Sequence, residues 1–174
     1  MNKLIVIVTC IISLTLINFS IYSKEKHLSE GKFVLLELAP VDPRSLMQGD
    51  YMALRFAMAN DASLAVRNNH ELEDAYRLNY DGHIIANIND NSVATFNRLN
   101  DETQLSEDEK LIKFRIRNGV VKFATNAFFF QEGHAKYYEN AKYGGFRVNR
   151  YGELLLTGMY DESLKEISPS NNDD

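Results

Sequence analysis

Between Leu4 and Tyr22 the chain carries no charged side chain, and Lys3 stands directly before this run. Its nineteen residues, at ~1.5 Å each in a helix, span about the ~30 Å hydrocarbon core of a bilayer. Thr9, Ser13, Thr15, Asn18 and Ser20 interrupt the run, but hydroxyls in a helix bond back to its own carbonyls at modest cost. Lys24, Glu25 and Lys26 close it on the far side. A cleaved signal peptide would carry a shorter apolar region of ~7–15 residues and a small-x-small cleavage site. The best such site follows Ser23, where Ile21 fills the third position back and fits poorly. Cys10, preceded by Val8-Thr9, lies too near the start for a lipoprotein acylation site. The expectation is an uncleaved signal anchor over residues 1–23. Lys3 and the amino terminus face Lys24 and Lys26 across the run, so the charge bias that sets orientation is nearly balanced. Ordinary export of a signal anchor puts the amino terminus in the cytoplasm and the body outside.

The anchor changes what composition means. The full chain has 174 residues, with 19 basic and 24 acidic side chains and a net charge of −5. Lys3 is the one charge in the first 23 residues, so the remaining 151 hold 18 basic and 24 acidic groups, a net of −6. That balance argues against a nucleic-acid binder, which needs a basic footprint. Cys10 is the lone cysteine, which excludes a disulfide scaffold and a cysteine zinc site. Seventeen of the 19 aromatic residues lie in the body, enough for a core that needs neither disulfide nor metal.

The body reads mostly as strand. Phe33 to Ala39 is a short apolar run ending at Pro40, and Tyr51 to Met58 alternates with a period of two. One short helix is expected between Ala62 and Tyr80, on Leu64, Leu72, Ala75 and Tyr76. Asp81-Gly82 then suggests a turn. His83 to Asn89 and Ser92 to Leu99 follow as strands joined across Asp90-Asn91. Leu111 to Arg117 sets Leu111, Lys113, Arg115 and Arg117 on one face against Ile112, Phe114 and Ile116 on the other. Asn118-Gly119 is the preferred two-residue hairpin turn, and Val120 to Thr125 is the return arm. Ala127 to Phe130 stays apolar. His134 to Lys142 suits a short helix with Tyr137, Tyr138 and Ala141 inward, ended by Gly144-Gly145. Phe146 to Asn149 and Glu153 to Met159 form a last hairpin around Tyr151-Gly152. The predicted class is α+β, predominantly antiparallel β with one or two short helices, behind a single N-terminal transmembrane helix. The β-rich domain covers 24–161, and a disordered tail is expected over 162–174.

The densest local signal runs from Ala39 to Tyr51, where Pro40 and Pro43 bracket Val41-Asp42 and Gly49-Asp50 makes a tight turn into a strand. The plain reading is a connector in which Asp42 and Asp50 cap backbone amides and Arg44 pairs with one of them. The functional reading is an Asp–Arg constellation that grips a partner or ligand. Glu132-x-His134 adds a carboxylate and an imidazole at a turn, but no third metal ligand is visible. His70, Glu71 and Glu73 do not form an HExxH array.

Gly49-Asp50-Tyr51-Met52-Ala53-Leu54-Arg55-Phe56 resembles the motif that names the GDYXXLXY family of bacterial membrane-anchored proteins. Pro40 to Arg44, Phe130 to Gly133, Tyr138 to Tyr143 and Arg147-Val148 are similar to further segments of that family, in order over about residues 30–160. Phe56 departs from the final Tyr, which leaves a packing role but no phenol there. The resemblance implies a membrane anchor and the neighbourhood of a multi-spanning membrane protein, and it carries no activity. It adds Tyr51 and Arg147 to the binding candidates. The Ser45 to Tyr51 stretch is also similar to the nucleophile region of signal-peptidase-like serine proteases, with Lys113 or Lys122 as base. The proline expected after the serine is missing, because Leu46-Met47 follows it.

Two readings result. The first is a membrane-anchored, non-catalytic extracytoplasmic domain that works with an integral membrane protein, single-pass in the bacterial inner membrane and facing the periplasm or cell exterior. The second is an exported hydrolase or ligand-binding module using Asp42, Arg44 and Asp50 with Glu132 or His134. Neither calls for a cofactor or metal.

Overall fold

The computed structural model describes residues 2–39, 47–48, 51–69 and 79–169. The apolar run forms helix α1, Asn2–Glu30. Three of its polar side chains bond back to the helix's own carbonyls. Thr9 Oγ1 donates to the Ile5 carbonyl at 2.9 Å, Thr15 Oγ1 to Ile11 at 2.8 Å, and Asn18 Nδ2 to Leu14 at 2.8 Å. The apolar side chains of this helix lie outside the body, with Phe19 69% exposed. Its length and mean hydropathy of 2.5 suffice to cross a membrane. The helix does not stop at the charged residues Lys24–Lys26 but continues to Glu30, where Gly31 N–H bonds to the His27 carbonyl and strand β1 (Lys32–Glu37) begins.

Seven strands form the main sheet. After β1 they are β4 (Tyr80–Ile88), β5 (Val93–Leu99), β6 (Glu109–Arg117), β7 (Val120–Phe123), β9 (Tyr143–Val148) and β10 (Leu154–Tyr160). Their spatial order is β10-β9-β1-β5-β4-β6-β7, antiparallel except for β1 beside β5. A smaller sheet joins β2 (Met47–Gln48), β3 (Tyr51–Ala53) and β8 (Ala127–Phe129). Helix α2 (Met58–Asn68) packs on β5 and β7, and helix α3 (Ala135–Tyr138) follows β8.

The core lies between the main sheet and a cover made by α2 and β3. Alternation decides which side chains reach it: Ile112, Phe114 and Ile116 of β6 are buried, as are Met52, Leu54 and Phe56 after the motif glycine. Phe56 stands edge-on to Phe123 and Phe146, with centroids 6.5 and 5.6 Å away. The departure from the family's tyrosine therefore falls on a ring that packs. The β6–β7 hairpin turns on Asn118-Gly119 with φ of 53° and 71°, the geometry expected of a two-residue turn. Asn89 Oδ1 accepts from the Asn91 and Val93 amides to close the β4–β5 turn.

Four local expectations are corrected. The strand from Tyr51 ladders only to Ala53, touches Leu38 once more at Phe56, and yields to α2 at Met58. That helix starts earlier than predicted, and its buried stripe is Met58, Ala62 and Val66 at spacing four, while Leu64 is 58% exposed. Leu72, Ala75 and Tyr76 lie outside the described residues. Asp81-Gly82 is no turn but the interior of β4, where Gly82 makes room for the Tyr80 and Phe114 rings. Gly144-Gly145 likewise sits inside β9, under the rings of Phe146, Phe33 and Tyr160. Of the tail, residues 162–169 are described. They turn back on β10, where Ile167 N–H bonds to the Met159 carbonyl and Glu166 bridges to Tyr160.

The main sheet curls until its ends approach. The β9–β10 turn reaches β6, where Lys113 N–H donates to the Gly152 carbonyl at 2.8 Å, and His83 Nε2 lies 3.2 Å from the Tyr151 carbonyl. Gly152 has φ of 76°, and a Cβ there would stand 2.9 Å from the Leu111 carbonyl. Only glycine meets both demands.

Candidate functional site

Asp42, Arg44 and Asp50, together with Ser45, lie outside the described residues. Tyr51 is described at the start of β3, where the register sets it opposite Phe129 and the two rings stand 5.7 Å apart. From Phe129 the chain passes to Gln131–His134, whose turn is closed by His134 N–H on the Gln131 carbonyl. Tyr51 and the approach to Glu132 and His134 therefore share one end of the small sheet. An aromatic group fills that region: Tyr138 is buried against Phe128 and Phe130 at 4.9 and 5.4 Å, and burial raises its phenol pKa. His134 stands edge-on to Tyr137 at 5.4 Å, and Glu132 is exposed. Among the described residues no three His, Cys, Asp or Glu side chains gather as a metal site.

Arg147 does not join that end. It lies on β9 beside Phe33 of β1, near the exit of α1. Its guanidinium donates to the Gly31 carbonyl at 3.1 Å and covers the Phe33 ring at 5.7 Å. Its own carbonyl accepts from His27 Nε2 at 2.9 Å, so the ring carries its proton on that nitrogen. Arg147 is thus the clasp that fixes the last turns of α1 to the sheet. His27, in the last turn of α1, is its partner.

A second region exists only once the fold brings α1, β6, β7 and β10 together. Where the curled sheet comes nearest to closing, a cleft of about 990 Å³ remains. It lies between the edge of β10, the outer face of β6–β7, the β7–β8 connection and the last turns of α1. Five cations line it, Lys24, Lys113, Arg115, Arg117 and Lys122, against two carboxylates, Asp81 and Glu153. Arg117 is committed, bonded to Asp81 at 2.5 Å and to the Tyr80 carbonyl at 3.1 Å. Glu153 accepts from Asn149 at 2.9 Å. The other four cations have no ion pair among the described residues. The signal was present as the alternation Lys113, Arg115, Arg117, but in one strand alone such a face reads as solvent.

No curated protein and no solved structure is detectably similar to this chain. The model of the GDYXXLXY protein family matches residues 13–159, from within α1 to the end of β10. That span takes in the later part of the apolar helix, the motif strand and the curled sheet, and the chain belongs to the GDYXXLXY protein family.

Proposed function

We propose that the protein is a membrane-anchored, non-catalytic domain that works with an integral membrane protein. It would be single-pass in the bacterial cytoplasmic membrane, with its body facing the periplasm or cell exterior. The observation that carries this reading is the unbroken passage of α1 into β1, held by His27, Arg147 and Gly31. A body clasped in this way rides directly on the bilayer, within reach of a neighbour in the same membrane. The helix offers a matching surface: Thr15 and Asn18 sit in a shallow groove with Ile11, Leu14, Phe19 and Tyr22. Asn18 Oδ1 remains an acceptor inside the apolar run, and such polar atoms serve helix pairing in membranes. Purification of the full chain in gentle detergent tests the reading. A multi-spanning protein that co-purifies, and is lost with Asn18→Leu, supports it; the chain recovered alone refutes it.

A second reading, a hydrolase or ligand-binding module on Asp42, Arg44 and Asp50 with Glu132 or His134, draws on one register. Tyr51, next after Asp50 in sequence, pairs beside Phe129, which leads to Glu132. Retention of every in-cell phenotype by a Glu132→Gln, His134→Ala double variant would remove it.

A further inference from the structure

Arg115 and Lys122 stand directly opposite each other where β6 pairs with β7. Like charges in that relation destabilise a sheet. Asp81 stands opposite Arg115 on the β4 side, but its carboxylate is bonded to Arg117, so neither Arg115 nor Lys122 has an ion pair among the described residues. Lys113 is next on the same face of β6, and Lys24 adds a fourth uncommitted cation from α1. An acidic chain has thus gathered four cations without ion pairs among the described residues in one cleft that holds two carboxylates, Asp81 and Glu153, an arrangement suited to an anion.

The position of the cleft identifies its source. Lys24 is the first charge beyond the apolar run, at the level where a spanning helix meets headgroups. A neighbouring groove is lined by Phe19, Ser23 and Lys26 of α1 together with Arg150 and Tyr151. The β9–β10 turn therefore reaches down the helix to a residue of the apolar run itself. Tyr151 is 58% exposed with Arg150 stacked on its ring at 4.7 Å, a pairing suited to the membrane interface. The cleft is also partly apolar: Phe128, Phe129 and Leu155 line it, and Phe129 is 74% exposed. A free phosphate would use the cations and leave these rings in water, whereas a lipid would use both.

We propose that the open seam of the curled sheet binds the phosphate headgroup of an anionic phospholipid, held by Lys24, Lys113, Arg115 and Lys122. The proposal rests on the membrane-anchor reading and is independent of any protein partner. The full chain is placed in nanodiscs of phosphatidylcholine alone or mixed with phosphatidylglycerol. Lysine acylation is then read by mass spectrometry. The expected result is several-fold slower labelling of Lys113 and Lys122 in the anionic discs only, with Lys136 and Lys165 unchanged. Arg115→Gln, which keeps both reporters, weakens the association about five-fold, and Arg115→Lys restores it. Equal labelling in both discs overturns the proposal. Equal protection by inorganic phosphate in phosphatidylcholine discs overturns it in favour of a soluble anion. Protection that follows a co-purifying protein instead of lipid charge gives the seam to a protein strand and overturns it too. A chain that fails to enter discs overturns it together with the anchor, and so identifies which premise failed.

Discussion

The strand that carries the family motif and the seam that carries the cations use the same period-two pattern toward opposite ends. After the motif glycine, every second side chain (Met52, Leu54, Phe56) closes the core, and the strand's described work is packing. On β6 one face does likewise with Ile112, Phe114 and Ile116, but the other collects Lys113, Arg115 and Arg117 toward a cleft. A sequence motif can thus mark the place where a family's core is closed, while unpaired charge marks where the same fold meets something else.

The comparison breaks most easily at Phe56. Phe56→Ala removes a ring held between Phe123 and Phe146, and a loss of about 3–5 kcal/mol is expected. Urea unfolding of the full chain in neutral detergent, followed by tyrosine signals because the chain has no tryptophan, measures it. Gly152→Ala comes next, at about 1–2 kcal/mol for its left-handed backbone alone, with added strain against the Leu111 carbonyl. It should also loosen the contact that draws β10 toward β6, seen as faster hydrogen exchange at the Lys113 amide.

A third effect depends on pH. Arg98, followed by the Ser106 amide, holds the Glu109 carboxyl below the usual glutamate value, and Asn97 also donates to it at 2.8 Å. The folded pKa is the lower one, so this stabilisation is complete above the unfolded value and is lost as pH falls through the folded value. Glu109→Gln should therefore flatten the acid limb of a stability-against-pH curve. The smallest effect has the opposite sign: Lys122→Glu turns a like-charge pair with Arg115 into an attractive one. It should raise stability by roughly 0.2–1 kcal/mol while abolishing the lipid-dependent protection. A stabilising change that costs binding would separate the seam's role from that of the motif strand.

Local pattern made part of this structure legible. The β6–β7 hairpin was readable because alternation and Asn118-Gly119 act within a few residues. Gly82, Gly144 and Gly145 were misread because a glycine that ends an element and one that makes room for a ring look alike in sequence. Here the rings come from Phe114, Phe33 and Tyr160. The start of the helix is hard to read because its buried stripe relies on Ala62 and Val66, while the larger Leu64 faces outward. Arg147 stood out in the motif comparison, but its task could not be read, since Gly31 and His27 lie more than a hundred residues away. The cationic seam needs β6, β7 and α1 to be brought together before it exists.

The central claim is that the body rides on the bilayer with its β9–β10 turn at headgroup level. A spin label at Tyr151→Cys, compared with one at Ser163→Cys near the opposite end of β10, tests it directly in nanodiscs. Cys10→Ser leaves each label unique, because Cys10 is the lone cysteine. A headgroup-bound relaxation agent should broaden the label at 151 and spare the label at 163. Equal response of both labels to a water-soluble agent, with no effect of the headgroup-bound one, would contradict the account.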